Sequence, residues 1–274
     1  MVRRPTVPLL VALACLLALG LTGLLALASP GFHERDAAML HGFMALDRPR
    51  VHWLVEALAS LADPLPYAVA GLVLAGAAVV QGRKWRAAAV VALLVVTGAS
   101  TQIVKQLVAQ PRVEAWLPVD QIGDAAWPSG HATAAMTLAL CAVLVVPPAL
   151  RAVTALAGGL FAAGVGYAVI VLAWHYPSDV LGGFLMASTW TALAISGLRV
   201  MEERPAGDGV TVEWGPQIRL WLAAGAAAFA AVLVLASSRD GVALYAAERP
   251  TLVLGAAAIA VLSGALAAGL ARAA

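Results

Sequence analysis

The stretch Pro128–Pro147, PSGHATAAMTLALCAVLVVP, decides the fold. A Pro-Ser-Gly turn carrying His131 opens directly into a run without a single charge. Ser129 is a residue type that caps helix N-termini. The apolar run behind it extends over about residues 132–149, close to the ~20 residues that a helix needs to cross hydrocarbon. This is a membrane helix with an ionisable residue at its mouth. Such groups are costly at a bilayer boundary and mark functional sites.

The rest of the chain agrees. Of its 274 residues, 62% are hydrophobic and 12% charged, whereas a soluble domain carries ~25% charged residues. Further apolar runs lie near 7–28, 64–81, 87–107, 152–173, 180–198, 219–237 and 250–270. The expected fold is an all-α, polytopic transmembrane helical bundle. The run 7–28 follows Arg3 and Arg4 but exceeds the ~7–15 residues of a signal-peptide core, so it reads as a retained anchor. Segment 31–61 mixes charged and apolar blocks and reads as one or two amphipathic helices at the interface. Asp63-Pro64 marks a break before the next span. Residues 201–218, with Pro205, Gly207 and Gly209, read as a cytoplasmic linker. It divides a core over 1–200 from a two-helix extension over 219–274 that carries no polar chemistry. Gly158 and Gly159, and Gly182 and Gly183, suit close helix packing in lipid.

A net charge of +2 without a basic run argues against nucleic acid as a partner. Cys15 and Cys141 both sit in apolar runs and read as packing residues rather than a disulfide. With the N-terminus cytoplasmic, that side collects Arg3, Arg4, Arg83, Lys84, Arg86, Arg151, Arg199, Arg204, Arg219 and Arg272. The opposite side holds Arg35, Arg48, Arg50, Arg239 and Arg249, besides Lys105 and Arg112. That excess follows the positive-inside rule.

Three clusters fall on the extracytoplasmic side of this topology: Lys105 to Arg112, Pro128 to His131, and His175 to Asp179. Their chemistry suits a phosphate ester. Lys105 supplies charge, and Arg112 can bind two oxygens at once. Ser129 and the amides of Gly130 and His131 stand at a helix N-terminus, where an anion is favoured. Asp179 can hold one nitrogen of His175, leaving the other to attack phosphorus. His131 can then protonate the leaving oxygen. No metal or other cofactor is required. Asp120 and Asp124 read as solvated loop acids, and His33, His41 and His52 as ordinary interfacial residues. Trp127, Trp174 and Tyr176 suit an aromatic belt.

These motifs resemble those of the type 2 phosphatidic acid phosphatase superfamily, whose pattern is K-x6-R-P, PSGH and SR-x5-H-x3-D. Here Lys105 and Arg112 keep the first spacing, with Val113 in place of the proline. Residues 128–131 are intact, and His175 and Asp179 keep the third spacing. The resemblance spans about residues 60–200. It implies a six-helix core, a phosphohistidine on His175, His131 as general acid, and a lipid phosphate as substrate in a bacterial-type plasma membrane. Isoprenyl pyrophosphate, phosphatidic acid and phosphatidylglycerol phosphate are the candidates. The third motif departs: Ala168 and Val169 stand where the family has Ser-Arg. Losing one transition-state donor costs ~10²–10³ in rate. Arg239 or Arg249, in the loop between the last two spans, is the expected substitute. A phosphotransferase, or an impaired relative that binds or transports a phospholipid, are the other readings.

Overall fold

A computed structural model of the chain describes residues 6–112, 114–118, 121–202 and 250–273. The elements are α1 (Thr6–Ala28), α2 (Pro30–Met44), α3 (His52–Ser60), α4 (Pro64–Val80), α5 (Lys84–Leu107), α6 (Gly130–Val145), a 3₁₀ turn at Pro148–Leu150, α7 (Arg151–Val171), α8 (Pro177–Met201) and α9 (Pro250–Ala273). There is no strand among the described residues. Pro30, Pro64 and Pro177 all stand in first helical turns, where a missing N–H is harmless. Helices α1, α5, α7, α8 and α9 are long and apolar enough to cross a membrane, and the protein is an integral membrane protein. Helices α3 and α4 reach that length and apolarity only as a pair, bent by 52° at the break between them. The expected span 219–237 and most of the 201–218 linker lie outside the described residues.

Helix α6 occupies the centre. It is apolar on every side, the pattern of a helix enclosed by others, and it packs against α4, α5, α7, α8 and α9. At 16 residues it stops early. A bilayer offers no water to its last carbonyls, so arginines from α5 and the residue before it serve them. Arg83 Nη1 donates to the Val145 carbonyl at 2.9 Å and Arg86 Nη1 to that of Leu144 at 2.8 Å. Arg86 also grips Glu202 through Nε and Nη2, at 3.0 and 3.2 Å. This clip joins α5, α6 and the end of α8.

At the other end of the bundle, α8 approaches α6 closely at glycine. A Cβ on Gly183 would lie 2.7 Å from the Ser129 carbonyl oxygen and 2.9 Å from the Thr133 nitrogen. A Cβ on Gly182 would lie 2.8 Å from the Trp127 indole nitrogen. The glycine pair therefore does pack helices, as the sequence suggests.

The aromatic-belt expectation fails for Trp127 and Tyr176. Trp127 is wedged between α1 and α8, and Tyr176 is fully buried. Segment 31–61 does form two short helices, but α2 is no passive interfacial helix. Its Asp36, Ala37, Leu40 and Phe43 are buried against α7, α8 and α9, because its apolar face meets protein instead of headgroups. Helix α9 runs along α7 and α8, and its Leu252 meets Gly42 of α2.

Candidate functional site

The C-terminal ends of α5 and α7 and the N-terminal ends of α6 and α8 meet at one end of the bundle, bringing the three clusters together. Each local turn has a reason. Helix α7 ends in a Schellman turn: the Ala173 N–H donates to Ile170 and the Trp174 N–H to Val169, both at 2.9 Å. Ala173 takes the left-handed conformation, φ 55°, that glycine usually fills there. The chain reverses, and His175 is delivered beside the start of α8. Tyr176 then caps α8, with Asp179 as its third residue accepting the Tyr176 N–H at 3.0 Å. This is half of a capping box.

Asp179 is the hub. Its Oδ2 also faces His175 Nδ1 at 3.3 Å, and its Oδ1 accepts from Arg112 Nη2 at 2.7 Å. It is wholly buried, so these donors replace the water that the carboxylate gives up. With Nδ1 engaged, His175 Nε2 has no hydrogen-bond partner among the described residues. Burial holds the imidazole below its usual range. Asp179 opposes this, while the charges of Lys105 and His131 add to the lowering. His175 is therefore neutral at physiological pH, the state in which an imidazole nitrogen can act as a nucleophile.

His131 lies across the site, its ring centroid 6.4 Å from that of His175 and 5.4 Å from that of Trp174. Asp63, the residue before α4, holds its Nε2 at 3.0 Å. Ser129 caps α6, accepting from the Ala132 N–H at 3.3 Å, and its own N–H donates to the Asp179 carbonyl at 2.8 Å. The space beside Gly130 is open among the described residues, so the first amides of α6 can be approached.

Arg112 reaches the site from the 108–129 connection. Its guanidinium lies over the Tyr176 ring, 4.2 Å from the centroid, and Tyr176 Oη donates to its carbonyl at 3.2 Å. Helices α1 and α2 hold this connection down. Gln110 Nε2 donates to the Leu27 carbonyl at 2.7 Å, and Glu114 pairs with His33 at 2.9 Å. His41 packs edge-on to Trp116, with centroids 4.9 Å apart. The role expected for His33 and His41 is thus too small: both secure the loop that carries Arg112. Arg112 Nη1 is buried without a hydrogen-bond partner among the described residues, a donor with capacity to spare.

Sequence reasoning placed Lys105, Arg112, Ser129, Gly130, His131, His175 and Asp179 at one site, and they converge. It missed Asp36 and Asp63. Asp36 falls in the segment whose sequence reads as interfacial, and Asp63-Pro64 reads only as a break. Asp63 stands directly before a proline-started helix, a weak local signal, whereas Asp36 lies inside α2 with none. Asp124 is exposed, as expected of a solvated loop acid; Asp120 lies outside the described residues. Val169 is fully buried and offers its carbonyl alone. Arg239 and Arg249, the expected substitutes, lie outside the described residues.

The sequence model of the PAP2 superfamily matches residues 84–200. No curated protein and no solved structure matches the chain. Over residues 84–200 the chain is thus similar to the PAP2 superfamily, the same type 2 phosphatidic acid phosphatase superfamily that the motifs resemble.

Proposed function

We propose that this protein is a membrane phosphatase that removes phosphate from a lipid phosphate or pyrophosphate through a phosphohistidine. The match to the superfamily over residues 84–200 supports phosphatase-type activity in general. The observation that carries the finer reading is the His175–Asp179 pair, with Nδ1 bound to a buried carboxylate and Nε2 open. In the first step Nε2 attacks phosphorus, the bond from phosphorus to the leaving oxygen breaks, and His131 gives that oxygen a proton. In the second, His131 takes a proton from water, whose oxygen displaces His175 and releases inorganic phosphate. Lys105, Arg112 and the α6 amides hold the phosphoryl oxygens as charge gathers on them. The chemistry needs no metal. The site faces the extracytoplasmic side, where the positive-inside rule puts this end of the bundle. Isoprenyl pyrophosphate ranks first among substrates, ahead of phosphatidic acid and phosphatidylglycerol phosphate, by analogy with the family alone.

The test is phosphate release from these lipids by purified protein in detergent with EDTA, beside His175→Ala. Wild type should turn over at least one lipid and His175→Ala should lose at least ~10³ of that rate. Equal rates in the two proteins would remove His175 as nucleophile. One observation favours a second reading, a phospholipid-binding protein with impaired catalysis: Val169, wholly buried, cannot donate to phosphate. Lipid binding without turnover in both proteins would establish it.

A further inference from the structure

Asp36 lies on α2, well before the segment that matches the superfamily, yet it reaches the site. It is 3% exposed. Its Oδ1 accepts the Ser178 N–H at 3.0 Å and its Oδ2 bonds to the Ser178 hydroxyl. Ser178 is the second residue of α8, so this carboxyl caps the helix whose next residue is Asp179. The same Oδ2 lies 4.0 Å from Arg112 Nη1, the guanidinium nitrogen left without a hydrogen bond.

We propose that Asp36 is a positioning residue for the phosphate site: it tethers the start of α8 through Ser178, and its negative charge, when present, competes with phosphate for Arg112. The inference rests on the phosphate-handling reading given above. Two carboxylates share one guanidinium here. With both ionised and Lys105 and Arg112 charged, the four groups sum to zero and offer little to a phosphate dianion. With Asp36 protonated, the site carries one net positive charge and Arg112 Nη1 is free to turn to phosphate. The groups that face Asp36 are Asp179 from α8, Arg112 from the long connection, and the Tyr176 phenol. On its own helix, His33 is engaged by Glu114. Burial and Asp179 push the Asp36 carboxyl up to about 7, against the pull of Ser178 and Arg112. The competition therefore switches on near neutrality.

The experiment is the dissociation constant for inorganic phosphate of the full chain in detergent, from about pH 5.5 to about pH 8.5, for wild type, Asp36→Asn and Asp36→Ala. Asparagine keeps an acceptor for the Ser178 N–H and mimics a protonated carboxyl. The phosphate ion's own titration is common to all three proteins, so ratios of Kd isolate Asp36. The wild-type to Asp36→Asn ratio should be smallest at the acid end and climb by up to about tenfold per pH unit above about 7. Asp36→Ala should bind phosphate more weakly than Asp36→Asn throughout, because Ser178 is untethered. A ratio that stays flat across the range overturns the proposal, as does an Asp36→Ala protein that binds like Asp36→Asn. Wild type that binds no phosphate at any pH also overturns it. A wild type that binds with the expected pH dependence but hydrolyses no lipid phosphate sinks the phosphatase reading and leaves this one standing.

Discussion

His175 shows how one residue's setting governs its chemistry. Burial disfavours the imidazolium and outweighs the help that Asp179 gives it, so the folded protein holds this ring neutral below the pH at which a free histidine is protonated. The sign follows directly. The nucleophilic form persists as pH falls through ~6.5, so the acid limb of kcat/KM should lie below that value. A pH profile with a lipid phosphate checks this, and an acid limb at or above ~6.5 would assign the limb to another group. The same depression makes the neutral ring a stabilising feature above the unfolded pKa. That contribution is lost as pH falls from ~6.5 through the folded value.

Elements set the distances between such residues, and the α6–α8 contact sets the most important one. Ser129 and Asp179 are joined by a backbone hydrogen bond because Gly183 lets the two helices meet. Gly183→Ala would force a Cβ into the Ser129 carbonyl, and displacing reacting groups by ~1 Å can cost ~10² in rate. We expect kcat/KM to fall by about that factor. Gly197→Ala, on the same helix with open space around it, should leave turnover as it is. Comparison of the two rates is the check. The sequence made these elements legible because apolar length and glycine spacing are local signals. It also brought the three motifs to one end of the bundle, since alternating helix directions follow from counting spans. It did not reveal what α2 and α4 contribute. Asp36 and Asp63 act through contacts spanning 142 and 68 residues of chain, and no local pattern distinguishes an acid buried against Ser178 from one in water.

At the scale of the molecule, the bundle is closed at both ends by ion pairs of different purpose. One end carries the Asp179–Arg112 pair of the site. The other carries Arg86, which serves both Glu202 and the early end of α6. Breaking a buried arginine pair costs ~3–5 kcal/mol. Because Glu202 is about a quarter exposed, we expect Arg86→Met to cost nearer ~2–3 kcal/mol. It should lower the melting temperature in detergent while phosphate binding stays at the wild-type level. A melt that does not move would mean that other groups satisfy Leu144. Asp36 and Asp63 have a wider consequence. The stretch that matches the superfamily model begins at residue 84, but two carboxylates that touch its His131 and Ser178 come from before it. The matched stretch and the set of residues that build the site have different borders. Residues 84–200 are thus not a cassette that can be cut out and grafted onto other membrane anchors with its chemistry intact. Chimeras that keep the motifs but exchange the first four helices would carry a site with two of its acids missing.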